Sequence, residues 1–259
     1  MNNDQLRKHL SLSLSKNVRF DGRTDKLAYR EIKIKTGISK NAEGSAEVRI
    51  GNTRVLAGVK MAVEKPFPDK PNDGMLMIGT ELLPLSSPEF ELGPPGIWAT
   101  EIARVVDRGI RESGLIDLSK MCISPGEKVW GALIDICTIN DEGNLLDAAA
   151  LAVFAAIKNT VFPSYEGGVV DYKNKTDKKL PLSDKAPIAV TVYKLGEHFF
   201  VDPNVDEEHA YEARLTVTSY DDKTLCAMQK GGEAPLTPKD VDTMVGIAID
   251  KAKELRKLV

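Results

Sequence analysis

The apolar positions of this chain change period several times, and each change marks an element. Ile32 and Ile34 alternate with Lys33 and Lys35, so 30–36 is predicted as a half-buried strand. Strands over 46–50 and Thr53–Glu64 flank Gly51-Asn52, a two-residue hairpin signal. Prolines with Asn, Asp and Gly make 65–74 a loop, and a further strand covers 75–85. The period then becomes helical: Ile102, Val105, Val106, Gly109 and Ile110 recur at i, i+3, i+4, i+7 and i+8. Pro94 and Pro95 stop what precedes this helix, Thr100 is the expected N-cap with Glu101 in the first turn, and the helix ends near Gly114. Residues 129–140 read as a strand and 141–144 as a turn. Leu145–Lys158 is apolar on almost every side, hence a central helix.

Residues 4–16 form a short N-terminal helix by the same reading, and Asp21-Gly22-Arg23 a turn. A polar, lysine-rich stretch over 163–185 is expected as a connection. Hairpins then follow, with strands at 188–194 and His198–Val201, and at 212–220 and 223–229. A long C-terminal helix opens with Thr237 as N-cap, Pro238 at its first position and Asp240 at its third. Strands followed by helices, twice over, give an α+β chain with antiparallel sheets packed on central helices.

Composition excludes some classes. With 35 basic and 38 acidic residues the net charge is −3, which argues against a free-standing nonspecific nucleic-acid binder but permits a local basic patch. No apolar run reaches the roughly 20 residues needed to cross a bilayer, and the first residues show no signal-peptide pattern. Cys122, Cys137 and Cys226 form no CxxC pair and are expected as buried free thiols in a reducing cytoplasm. His9, His198 and His209 lack metal-ligand spacing, and no Walker A, dinucleotide-binding or nucleophile-elbow motif occurs. Neither a cofactor nor a metal is expected.

One feature stands out against this background. Arg104, Arg108 and Arg111 follow one another at spacings of four and three, a row of guanidinium groups on a rigid rod. The alternative is a solvated face holding weak pairs with Glu101 or Asp107, worth roughly 0.2–0.5 kcal/mol each.

An ordered set of segments resembles the RNase PH-like subunits of the exosome, and among them the non-catalytic subunit of the archaeal complex. The segments are Arg19-Phe20-Asp21-Gly22-Arg23, Gly44-Ser45-Ala46, Gly51-Asn52-Thr53, Asn72-Asp73-Gly74 and Glu81-Leu82-Leu83-Pro84-Leu85. They continue with Gly93-Pro94-Pro95, Glu101-Ile102-Ala103-Arg104-Val105-Val106-Asp107-Arg108, Pro125-Gly126-Glu127-Lys128 and Gly143-Asn144-Leu145-Leu146-Asp147-Ala148. The resemblance implies a single RNase PH-like domain of the ribosomal protein S5 domain 2-like kind, in two lobes of about 19–162 and 186–259. It also implies an alternating hexameric ring with a catalytic RNase PH-like subunit, topped by RNA-binding cap proteins, that degrades single-stranded RNA from the 3′ end with inorganic phosphate.

Active members place a Thr- or Ser-Arg pair at the turn into the central helix, an Asp in a Gly-Glu-Ala-Asp segment and an Arg-Arg pair before the Glu-x-Ala-Arg motif. Here those places hold Leu145, Arg214 and Ile97-Trp98, and Asp147 is expected to repel phosphate. The acidic group Asp202, Asp206, Glu207 and Glu208 reads as a polar loop. The resemblance therefore implies no catalytic residue in this chain and assigns RNA phosphates to Arg104 and Arg108, with Arg111 on the same stripe. The competing reading is an active phosphorolytic 3′-5′ exoribonuclease.

Overall fold

The computed structural model describes residues 3–259. After helix α1 (Asn3–Ser15), strands β1 (Ile32–Thr36), β2 (Gly44–Ile50) and β3 (Thr53–Glu64) form an antiparallel meander. Strand β4 (Met75–Glu81), helix α2 (Ile97–Ser113), strands β5 (Cys122–Ser124) and β6 (Lys128–Asn140) and helix α3 (Leu145–Lys158) follow. Strand β6 is antiparallel to β3 but parallel to β4, giving the order β1-β2-β3-β6-β4, with β5 paired to β6. The sheet is therefore mixed rather than wholly antiparallel. Helix α2 is the crossover, and a chain that returns through a helix re-enters its sheet in the original direction.

A hairpin of β7 (Val161–Glu166) and β8 (Val169–Lys179) occupies the place expected for a connection. Most of β8 is exposed on both faces, so it needs no alternating apolar residues and the period-two signal is missing. The second sheet contains β9 (Ile188–Leu195), β10 (His198–Val201), β11 (Ala213–Ser219) and β12 (Leu225–Gly231), in the order β10-β9-β11-β12. Helix α4 (Val205–Glu208) follows β10, and helix α5 (Pro238–Leu255) closes the chain behind the capping box of Thr237 and Asp240.

These elements stack in four layers. Helix α3 packs on β2 and β3 on one side and on β9 on the other, which is why it is apolar all round. Helix α5 covers the far face of β9 and β11, leaving every residue of those strands buried except Lys194. Helix α2 lies beside α3 and touches β4 and β12, the end strands of the two sheets. One apolar core runs through all of these layers, and a smaller cluster of Leu10, Leu14, Tyr193, Leu195, Phe200 and Ala210 holds α1.

Some expected limits move for local reasons. Strand β4 stops at Glu81 because the Leu83 amide bonds to the Thr138 hydroxyl and Pro84 has no amide to offer the ladder. The N-cap of α2 is Gly96, not Thr100, whose hydroxyl instead donates back to the Gly96 carbonyl at 2.9 Å. Strand β1 begins two residues later than expected, and β12 is displaced two residues toward the C-terminus. Cys122, Cys137 and Cys226 are free but only partly buried.

The acidic group after β10 is not a solvated loop. Asp202 and Glu207 are completely buried, and Glu207 takes two bonds from Arg19, at 2.8 and 2.6 Å. Arg19 spends its other donors on the carbonyls of Lys26, Val201 and Asp202 and lies over the Phe200 ring. Removing one partner of such a pair strands the other charge in the interior, at about 3–5 kcal/mol. Arg19→Met should therefore lower the unfolding free energy by about that amount in urea denaturation, with Glu207→Gln in the same background recovering part of it. A loss under about 1 kcal/mol, the range of an exposed pair, would contradict this.

Candidate functional site

Helix α2 sorts its side chains by its period. Ile102, Val105, Val106 and Ile110 are buried, while Arg104 and Arg108 fall one turn apart on the exposed side. Edge strand β12 runs alongside, and the space between is an open groove of about 550 Å³. Arg104 and Arg108 line it together with Ile97, Glu101, Val105, Ala227, Met228 and Gln229. Among the described residues neither arginine has a hydrogen-bond or ion-pair partner.

The acids three residues to either side of Arg104 are engaged elsewhere. Glu101 Oε1 accepts from Arg214 Nη2 at 2.8 Å, and Asp107 takes a two-point grip from Arg111 at 3.1 and 2.7 Å. Arg111 Nη2 also donates to the Leu76 carbonyl of β4 at 2.9 Å. Arg111 is thus tied back to its own helix and to β4, and it does not line the groove with Arg104 and Arg108. Arg214 is 3% exposed, donates to the Tyr211 hydroxyl at 3.3 Å and stacks over Trp98. Its cross-strand partner is Gly231, where a Cβ would sit 2.6 Å from the Arg214 Cζ, so only glycine leaves room for the guanidinium.

A second locus is the turn into α3. Gly143 and Asn144 both take positive φ, 87° and 63°, and the Gly143 carbonyl accepts from Thr53 Oγ1 and Arg30 Nη2. The Asn144 amide donates to Glu208 Oε2 at 3.2 Å, and its side chain donates to Asp202 Oδ1 at 2.9 Å. Two carboxylates of the chain itself therefore close this turn. Leu145 is 1% exposed and belongs to the core. Asp147, expected to repel phosphate, points inward: it accepts from Tyr29 Oη at 2.6 Å and from the Thr191 amide at 2.8 Å.

Two family models describe this chain. The 3′ exoribonuclease family, domain 1, matches residues 28–163, and the same family's domain 2 matches residues 185–251. The chain belongs to the 3′ exoribonuclease (RNase PH) family. It is 45% identical to the exosome complex component Rrp42 of Methanosarcina acetivorans over 244 residues, which is 94% of this chain and 89% of that relative. A chain of the Archaeoglobus fulgidus exosome with RNA bound to the active site superposes with a TM-score of 0.90 at 41% identity, covering 98% of both chains. A chain of an archaeal exosome core gives 0.86 at 38% identity, covering 98% of this chain and 96% of that one.

Within this RNase PH-family frame, sequence reasoning found the groove arginines but missed what surrounds them. It read Arg214 only as a lost acid, although Gly231 seventeen positions on, opposite it in the sheet, was the signal that a large side chain needs space there. It also missed the Arg30–Asp202 contact, for which no local pattern exists. Asp202 accepts from Arg30 and Arg23, so that its carboxyl, which burial would raise, is held below the ordinary carboxylate range.

Burial dominates at two other carboxyls. Asp147 is pushed up to about 7 despite bonds from Tyr29 and Thr191, and Glu208 is pushed up to about 7 despite bonds from Tyr193 and Asn144. A carboxyl whose folded pKa exceeds its unfolded value near 4 binds more protons when folded, so its contribution is whole below about pH 4 and is lost as pH rises through about 7. Urea unfolding should show stability from these groups falling between those limits, and Asp147→Asn, whose oxygen can accept from the Thr191 amide while its NH2 donates to a turned Tyr29 hydroxyl, should flatten the slope. An unchanged slope in the variant would show that Asp147 is already ionised when folded.

Proposed function

We propose that this chain is a non-catalytic subunit of an RNA-degrading exosome ring, in which it alternates with a catalytic RNase PH-family subunit and holds RNA phosphates beside that partner's active site. The observation that carries this reading is a contrast within one molecule. Arg104 and Arg108 are exposed and unpaired on an open groove, whereas the turn into α3 is closed by Asp202 and Glu208. The first arrangement invites a polyanion and the second has no seat for one.

Phosphorolysis needs inorganic phosphate held against the scissile phosphodiester, with its charge neutralised by preorganised cations or amide dipoles. At the α3 turn the place of a phosphate-binding arginine is taken by buried Leu145, and Arg30 is already committed to Asp202 and to the carbonyls of Glu142 and Gly143. Arg214 stands where an acid is expected and is consumed by Glu101. These features favour a silent subunit over an active exoribonuclease. A guanidinium fork suits phosphate oxygens, and two forks one helical turn apart suit a backbone that presents phosphates in series.

Membership in a ring is supported by the Rrp42 relatives and by the surface around the entry to α2. Leu92 and Ile97, 85% and 91% exposed, line one cavity there with Phe90 and Trp98, and Leu85 a few residues earlier is 78% exposed, apolar side chains that suit burial against a partner. Both β4 and β12 are edge strands beside α2. Cap proteins are further partners in this reading, and single-stranded RNA is the substrate.

The isolated chain should release no nucleoside diphosphate from 3′-single-stranded RNA in phosphate and divalent metal. Co-expressed with a catalytic family subunit, it should form a hexamer-sized species that does. Arg104→Glu with Arg108→Glu should leave that assembly intact and weaken RNA binding by about 25-fold at about 0.1 M salt, since each single-strand contact carries a salt exponent of about 0.7. Robust release by the isolated chain, free of partner by mass spectrometry, would favour the active-enzyme reading. Wild-type RNA affinity in the double variant would make the arginine pair structural.

A further inference from the structure

Arg104 lies midway between two acids, each three residues away on the same helix: Glu101 before it and Asp107 after it. Residues three apart on a helix are surface neighbours, so either carboxylate is within reach of the Arg104 guanidinium. Neither pairs with it. Glu101 turns toward β11 to meet Arg214, and Asp107 turns along the helix to meet Arg111 with both of its oxygens.

We infer that Arg214 and Arg111 are positioning residues that hold Glu101 and Asp107 away from Arg104 and so keep its guanidinium free for an RNA phosphate. The inference rests on the proposed RNA-binding role of the groove. It gives Arg214 a task of its own, and it moves Arg111 from the RNA-contacting set to the supporting one. The surroundings of Arg214 fit the task. Its guanidinium lies under the Trp98 ring, and Gly231 opposite leaves it the space it occupies. Arg111 is braced by the Leu76 carbonyl as well as by Asp107, so its head cannot swing to the groove without giving up three hydrogen bonds. Glu112, exposed one turn beyond Arg108, is the remaining acid nearby. Its order, arginine first and glutamate four residues later, is the weaker one for a helical pair, and it lies too far along the helix to reach Arg104.

The test measures affinity of the reconstituted ring for a fluorescein-labelled oligoadenylate across a salt series, with circular dichroism and sizing of each variant. Arg214→Met releases Glu101, and Arg111→Met releases Asp107. Each should weaken binding by about fivefold at about 0.1 M salt and lower the salt exponent by about 0.7, the loss of one single-strand contact. Adding Glu101→Gln to the first and Asp107→Asn to the second should restore both affinity and exponent, a rescue that a merely structural role does not produce. If Arg111 itself grips phosphate, the Arg111→Met, Asp107→Asn pair stays weak, and the inference fails for Arg111. Failed rescue of Arg214→Met by Glu101→Gln, or wild-type binding by both single variants, overturns it altogether. Should Arg214→Met not fold, the Arg111 pair decides, because that side chain is exposed on a helix whose core face is untouched. These failures differ from failure of the underlying reading, which would appear as wild-type affinity in the Arg104→Glu, Arg108→Glu ring.

Discussion

The architecture hangs on the carboxylate of Asp202. It is completely buried and sits in a left-handed backbone conformation with φ 49°, a strain an aspartate tolerates better than most residues. It accepts from the Arg30 amide and guanidinium, from Arg23 and from Asn144, while its own carbonyl accepts from Arg19 and Arg23. Three stretches far apart in sequence meet there: the segment before β1, the turn into α3 and the junction of β10 with α4. Buried charge of this kind is costly unless every bonding position is filled, and here Arg23, Arg30 and Asn144 fill them. With this contact in place the register of the first sheet, the central helix and the second sheet is fixed mutually. The strained turn at Gly143-Asn144 is held by the same donors and acceptors.

That internal anion also bears on function. A helix N-terminus attracts negative charge, and an active phosphorolytic site needs that attraction for an exogenous phosphate. In this chain Glu208 and Asp202 already hold the turn ahead of α3. The arginines divide the same way. Among the described residues Arg19, Arg23, Arg30, Arg49, Arg54, Arg111, Arg214 and Arg256 pair with carboxylates of the chain itself, while Arg7 in α1 has no such pair. Arg104 and Arg108 have none either. The sign of the residue is constant, and its role follows from where the acids stand.

Legibility in the sequence tracks how local the determining force is. Helix α3 was read to the residue because burial on every side leaves an unbroken apolar run, and the capping box of α5 was read because it is a contact among four consecutive residues. The start of α2 was misplaced because proline and glycine can open a helix with no side-chain cap, which defeats a rule built on Ser, Thr, Asp and Asn. Strand β8 was missed because a strand bare on both faces has no reason to alternate. Asp147 reads from the sequence only as a charge that would repel phosphate, whereas its direction is set by Tyr29 and by Thr191 of another sheet. The stripe of Arg104, Arg108 and Arg111 was visible from spacing alone. Its division into two free arginines and one bound one was not, since that depends on Leu76 and Arg214 arriving from other strands.

A chain of net charge −3 can still present a phosphate-binding groove, because screening makes charge a local property. At about 0.1 M salt the Debye length is about 10 Å, so acids on the far side of α5 or along β8 contribute little to the field at α2. What matters is the balance within that radius. There Glu101 is matched by Arg214 and Asp107 by Arg111, so that among the described residues Arg104 and Arg108 outnumber the one acid of the helix left unpaired, Glu112, on a groove floored by Val105, Ala227 and Met228. The apolar floor strengthens the effect, since low-dielectric walls focus the field of charges beside them. The surplus needs no basic protein, only a helix in which the acids beside Arg104 have been given other partners.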